Sequence, residues 1–210
     1  MQKRTEQELF WAGEFGDDYI TRNTLSSSAG KAQAFWAHIL ARMAARPTSV
    51  LEMGCNIGIN LVALGQLLPD AVLHGVEINA KAAEEARRNL QYTGRATVTL
   101  QSLFDCTETG YDFVFTRGVL IHLNPEMLPL GYEKIHTASS RYVCLCEYYN
   151  PTPLGVVYRG HENRLFKRDF AGEFMDAFPD MSLVDYGFVW HRDPLFPTDD
   201  VTWFLMEKRH

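Results

Sequence analysis

The 210-residue chain predicts an α/β fold, a mostly parallel sheet of seven strands with helices on both faces, an antiparallel hairpin at one edge and a helical arm in front. Three observations carry this. From residue 49 onward, short apolar runs alternate with longer segments of helical periodicity, the pattern of right-handed βαβ crossovers. The run Val50-Leu51-Glu52-Met53 breaks off at Gly54 and Gly58 just before an apolar-periodic segment, as strand, tight turn and helix would. The last two alternating runs have no helical segment between them, which makes them a hairpin.

In order along the chain, Thr5-Glu6-Gln7-Glu8 opens a short helix with a capping box, and Gly13 and Gly16 are expected to break it. The stretch to Asn23 is dense in aromatic and polar groups, among them Tyr19 and Arg22. It reads either as a lid over a site or as an arm whose Trp11, Phe15 and Tyr19 pack on the core. Phe35, Ile39, Leu40 and Met43 predict an amphipathic helix over 27–45 that Pro47 ends. Residues 1–46 thus form a helical arm or lid on a core of 47–210.

Strands are expected at 49–54, 71–77, 96–101, 111–116 and 141–147, and helices at 58–68 and 79–91. Pro125 suits the first turn of a helix running to about 138. A helix at 168–177 precedes the hairpin strands 183–190 and 200–207, whose Trp190 and Trp203 are expected in the core. The segment 147–169 reads as an insertion, stiffened by Pro151 and Pro153 without regular structure.

With 46% apolar and 12% aromatic residues, the chain can bury one substantial core. A net charge of −6 with no block of like charge argues against a nonspecific grip on nucleic acid. No run approaches the ~20 apolar residues of a membrane span. A small-molecule substrate and a cytoplasmic location are therefore expected, and the oligomeric state is left open. Cys55, Cys106, Cys144 and Cys146 are scattered. Cys144 and Cys146 share a strand face without a second pair at zinc-like spacing, so core thiols and no metal are expected.

In an open α/β sheet, ligands sit at the carboxyl ends of the strands. The turn from Gly54 through Cys55 and Asn56 to Gly58 lets backbone approach a ligand, with free N–H groups opening the next helix. The second strand ends in Glu77-Ile78, where a carboxylate can accept hydrogen bonds from both hydroxyls of an unphosphorylated ribose. A dinucleotide fingerprint would need glycine at 56 and 59, where this chain has Asn56 and Ile59. That disfavours a nucleotide-dependent oxidoreductase, which stays as an alternative beside a catalytically inactive binding module.

Glu52-x-Gly54-Cys55-x-x-Gly58, followed one strand later by Glu77, resembles motif I and the second-strand acid of the class I, Rossmann-like S-adenosylmethionine-dependent methyltransferases. The resemblance implies S-adenosylmethionine as cofactor, the glycine-rich turn under its methionine and ribose, and Glu77 on the ribose hydroxyls. It further implies Leu103 or Phe104 against adenine and Asp105 on the adenine amino group. Tyr111 to His122 resembles the superfamily's fourth motif, which puts Thr116, Arg117 and Gly118 near the reacting centre and His122 just beyond. Through nearly its whole length the chain resembles the pseudaminic acid biosynthesis-associated methylases. The carrying segments are Glu6 to Asp17, Glu147 to Pro153, Tyr158 to His161 and Arg164 to Glu173. This implies methyl transfer to oxygen or nitrogen of a small polar metabolite of the nonulosonic acid or sugar-pathway kind.

The acceptor is expected at the insertion. Tyr148, Tyr149, Asn150, Tyr158, Arg159, His161, Arg164, Lys167 and Arg168 concentrate rings and cations on an acidic protein, which favours an anionic acceptor. The alternative is that these cations pair with Asp169, Glu173 and Asp176. Methyl transfer is an in-line displacement in which positioning supplies much of the rate. An alcohol or protonated amine also needs a proton acceptor, and His161 and Glu147 rank ahead of His122 and His191 for that role. The segment 186–194 is placed to cover the cleft from the sheet edge.

Overall fold

The computed structural model describes residues 4–21 and 25–209. Five parallel strands are ordered β3-β2-β1-β4-β5. They are β1 (Ser49–Met53), β2 (Val72–Glu77), β3 (Ala96–Leu100), β4 (Tyr111–Arg117) and β5 (Ser139–Glu147). Beyond β5, β9 (Val201–Lys208) pairs antiparallel, and β8 (Met181–Val189) pairs with β9 to close a seven-stranded sheet. Strand order reverses between β1 and β4, so their carboxyl ends open the crevice where such sheets bind ligands.

Alternation within the strands builds a core on each face. Phe113 and Phe115 of β4 point to one side with Trp36, Ile39, Leu61 and Leu64, and Val114 points to the other with Leu51, Ile135, Val143 and Phe174. The first face is covered by α3 (Leu25–Leu40), α4 (Ile59–Leu67) and α5 (Ala80–Leu90), the second by α6 (Leu128–Ala138) and α7 (Phe170–Ala177). Each of these fully buried side chains contributes about 1.5–3 kcal/mol. All four cysteines are buried free thiols, and the Sγ atoms of Cys144 and Cys146 lie 3.6 Å apart in the core.

Several elements differ from the expectation. Gly16 does not break a helix. It lies inside α2 (Glu14–Ile20), which follows α1 (Glu6–Ala12), and a Cβ there would stand 1.9 Å from the Trp11 carbonyl oxygen. α3 stops at Leu40, short of Pro47, because Arg42 and Met43 turn back in three-residue bonds and the Arg42 guanidinium takes the His38 carbonyl. The insertion is regular after all, an antiparallel hairpin of β6 (Leu154–Tyr158) and β7 (His161–Lys167). Its turn places Arg159 at φ 51 and Gly160 at φ 84. Trp203 is buried as expected, but Trp190 is 47% exposed past the end of the edge strand.

α1 and α2 lie over the strand ends. Thr5 and Glu8 form the anticipated capping box. Gln7 Nε2 donates to the Asn163 carbonyl (3.2 Å), Ser102 Oγ to Glu8 Oε1 (2.5 Å), and Asn79 Nδ2 to Asp17 Oδ1 (2.9 Å) and the Trp11 carbonyl (3.2 Å). The arm therefore touches the end of β2, the end of β3 and the β6–β7 hairpin.

Candidate active site

A cavity of about 610 Å³ opens at the reversal point of the sheet. That is large enough for a nucleoside-sized ligand. Its inner wall is the turn after β1. Gly54 has φ 83, Asn56 has φ 47, and Asn56 N–H donates to Glu77 Oε2 at 2.7 Å. Glu77 Oε1 accepts from Asn79 N–H at 2.7 Å, so this carboxylate closes both turns. With the Ile78 N–H also directed at it, the carboxylate keeps one lone pair for a ligand. Burial pushes the Glu77 carboxyl above its ordinary range.

Beside it, Asn60 is the centre of a buried polar cluster. Its Oδ1 accepts from Trp36 Nε1 (3.1 Å) and Arg117 Nη1 (2.9 Å), and its Nδ2 donates to Glu52 Oε1 (2.6 Å). Two donors on one oxygen fix the orientation of the amide. Burial lifts the Glu52 carboxyl to about 8, against the pull of Asn60 and Arg117. Glu52 Oε2 and Asn56 Oδ1 are buried without a partner among the described residues.

Of the anticipated cofactor residues, Glu52, Gly54, Cys55, Asn56, Glu77, Ile78, Leu103, Arg117 and Gly118 line the cavity. Gly58, Phe104, Asp105 and Thr116 do not. Gly58 (φ 79) caps α4 and faces Ala86 and Leu90, where a Cβ would come within 3.3 Å. Phe104 turns into the core beneath α6, and Asp105 is exposed on the far side of that turn. Thr116 is fully buried.

Of the acceptor candidates, Tyr19, Tyr148, Tyr158 and Arg159 reach the cavity, and Arg22 lies outside the described residues. Tyr149, Asn150, His161 and Arg164 are elsewhere. Tyr149 is a half-exposed ring beside Phe204, and Asn150 stiffens its own turn through Thr152. His161 packs edge-on to Phe10 and Phe15, and Arg164 pairs with Glu6 at 3.3 Å. Arg168 pairs with Glu173 (2.8 Å), Asp169 caps α7, and Lys167 lies over Tyr148. Most of the basic density in this segment is thus satisfied by structure, and Arg159 is its one cation on the cavity.

The three foremost proton-acceptor candidates part company. His122 lines the cavity between Trp11 and Tyr158, with ring centroids 4.5 and 5.1 Å away. Its Nδ1 is 2.6 Å from the Arg164 carbonyl. A carbonyl only accepts, so the neutral ring carries its proton on Nδ1 and its lone pair on Nε2. Burial lowers its pKa to about 4. Glu147 is buried off the cavity, where it accepts from Thr116 Oγ1 (2.8 Å), Val119 N–H (3.2 Å) and Ile121 N–H (3.3 Å). His161 is off the cavity as described. His191 pairs with Asp200 at the surface, and Pro197 to Asp199, not residues 186–194, reach the cavity from the edge hairpin.

Residues 51–139 match the family model described as a methyltransferase domain. That match marks a methyltransferase domain within the chain. The fold of the whole chain is that of class I methyltransferases. A magnesium protoporphyrin IX methyltransferase from Synechocystis PCC 6803 with bound cofactor superposes with a TM-score of 0.71 at 16% identity, over 100% of both chains. An S-adenosylmethionine-dependent methyltransferase from Leishmania major gives 0.72 at 14% identity, over 97% of this chain and 87% of its own. The mitomycin 7-O-methyltransferase gives 0.62 at 14%, over 88% and 55%. No curated protein matches by sequence.

The cavity suits S-adenosylmethionine. An acid ends β2 beside the cavity, the Gly54 to Asn56 turn lines it, and two buried polar atoms, Glu52 Oε2 on β1 and Asn56 Oδ1 in the turn, have no partner among the described residues. Among the described residues no helix is long and apolar enough to cross a membrane, and no group of side chains could hold a metal ion. Several lining residues were not anticipated: Gln7, Glu8, Ser28, Lys31, Asn60, Asn79 and Ser102. Asn60 had a signal, a lone amide among Ile59, Leu61 and Val62. Lys31 and the 197–199 loop had none, because only the tertiary fold brings them to the cavity.

Proposed function

We propose that this methyltransferase acts on oxygen or nitrogen of a small, polar, anionic metabolite, of the sugar-acid kind that the pseudaminic acid-associated resemblance suggests. The observation that carries this reading is Arg159, held at the cavity mouth on an unfavourable backbone conformation, against a wall of Trp11, Tyr19, Tyr148 and Tyr158. A guanidinium fork suits a carboxylate or phosphate, and ring faces suit the body of a sugar or planar acceptor. Glu77 would hold the ribose, the Gly54 to Asn56 turn and Glu52 the methionine end, and Ile78 and Leu103 the adenine. When bound, S-adenosylmethionine supplies an electrophilic methyl group.

His122 is the candidate proton acceptor, since it combines cavity exposure with a lone pair on Nε2. Of the arm expected at 1–46, α1 and α2 act as a lid while α3 belongs to the core, and 147–169 acts as the acceptor-side insertion, consistent with α1 and α2 bridging the ends of β2 and β3 and the β6–β7 hairpin. A cytoplasmic enzyme working on free metabolites fits the acidic chain. The test is release of S-adenosylhomocysteine across sugar acids, their phosphorylated forms and uncharged analogues. Turnover of acids and not of neutral analogues is expected; equal turnover of neutral analogues sinks the anionic acceptor.

A further inference from the structure

The turn from Gly118 to His122 forms one wall of the cavity, and strand β5 holds it. Gly118 N–H donates to the Cys146 carbonyl at 2.9 Å. One residue on, the Glu147 carboxylate gathers Thr116 Oγ1, Val119 N–H and Ile121 N–H, and Leu120 N–H also faces it. On its other side this turn meets the β1 turn. The Val119 side chain fills the place of a Gly54 Cβ, which would come within 2.5 Å of Val119 Cγ2. A single chain of contacts therefore runs from Glu147 through Val119 to Gly54 and the cofactor turn.

We propose that Glu147 is a positioning residue: its carboxylate, turned away from the cavity, seats Val119 on Gly54 and so shapes the cofactor cradle. The chemistry demands a carboxylate here. Every partner is a donor, and a carboxylate only accepts, whereas glutamine must present an N–H₂ to one of the backbone N–H groups. The titratable group that acts on Glu147 from a neighbouring element is the Tyr132 phenol of α6, while the Cys146 thiol, next along β5, points to the opposite face of the sheet. Arg168 borders the same small space but is paired with Glu173, and the Arg117 guanidinium is taken by Asn60. Burial raises the Glu147 pKa to about 7, so the carboxylate is ionised at pH 8.

This inference rests on the cavity being the cofactor seat, and its test separates the two. S-adenosylhomocysteine binding is measured by calorimetry at pH 8 for wild type, Glu147→Gln and Thr116→Val, with folding checked by circular dichroism. Glu147→Gln should weaken binding about tenfold and Thr116→Val by about threefold, the loss expected from buried bonds to a charged acceptor. Should Glu147→Gln fail to fold, Thr116→Val carries the comparison. In wild type the Val119 and Ile121 amide resonances should titrate with a midpoint near pH 7, and in Glu147→Gln they should not. Wild-type binding with unchanged affinity in the folded variants overturns the inference alone. That is also the result expected of a residue acting only as a proton acceptor. Amides that stay fixed between pH 6 and 8 overturn it as well. A wild type that does not bind overturns the cofactor seat and this inference with it.

Discussion

Glu77 does two jobs with one carboxylate. It closes the turn at Asn56 and the start of α5 at Asn79, and in the proposed function it also meets the ribose. Glu77→Ala should therefore cost more than the ligand bonds alone. Each hydrogen bond to the charged group is worth roughly 1.5–3 kcal/mol, so S-adenosylhomocysteine affinity should fall at least about tenfold. Glu77→Gln, which can keep one acceptor, should fall less. Calorimetry on the folded variants checks both, and equal affinity in Ala and wild type would remove Glu77 from the cradle. This residue was legible from sequence because strand-end position and spacing suffice to place it. Asp105 was not, since a turn of three residues decides which side of the strand end an aspartate leaves by, and here it leaves toward solvent.

Among the elements, α1 and α2 show why a glycine can mislead. Sequence reading treats Gly16 as a helix breaker, yet it sits within α2 because Trp11 and Asn79 leave no room for a Cβ. Gly16→Ala should displace α2 from the strand ends and lower stability by about 1–3 kcal/mol, the ordinary cost of overpacking. Urea denaturation measures the loss, and hydrogen exchange should show it localised to residues 6–20. The β6–β7 hairpin escaped notice for a related reason. Its turn is Arg159-Gly160 where Asn-Gly is the recognisable signal, and two prolines precede it. The helices and strands of the sheet were legible because their periodicity is set by a core on each face, which is the strongest pattern a sequence carries.

At the level of the whole molecule, buried carboxylates tie stability to pH. Glu52, Glu77 and Glu147 all have pKa values raised by burial, to about 8 for Glu52 and about 7 for Glu147. Between pH 5 and 8 the folded state thus holds protons that the unfolded chain has released, so stability falls as pH rises through that window. For Glu147 alone the effect is on the order of 3 kcal/mol. His122 works in the opposite sense. Its pKa is lowered to about 4, so its contribution is lost as pH falls from about 6.5 toward 4. Thermal denaturation should show a maximum in mildly acidic buffer and a decline toward pH 8 that flattens in Glu147→Gln. A midpoint that rises steadily from pH 5 to 8 would contradict this account. The mostly parallel sheet with its edge hairpin was legible in advance, but the burial of these acids near the ends of β1, β2 and β5 was not: no local pattern reports which strand-end carboxylates the neighbouring turns will cover.

The turn at Arg159 sets foldability against use. Its backbone, at φ 51, suits asparagine or glycine, and the long cation is kept there against that preference. Arg159→Asn should gain roughly 1 kcal/mol in stability, by relief of left-handed strain, while raising the KM for an anionic acceptor. Melting temperature and saturation kinetics on the same preparation would read both changes. Selecting variants for robustness alone would then discard the cation proposed to meet the acceptor.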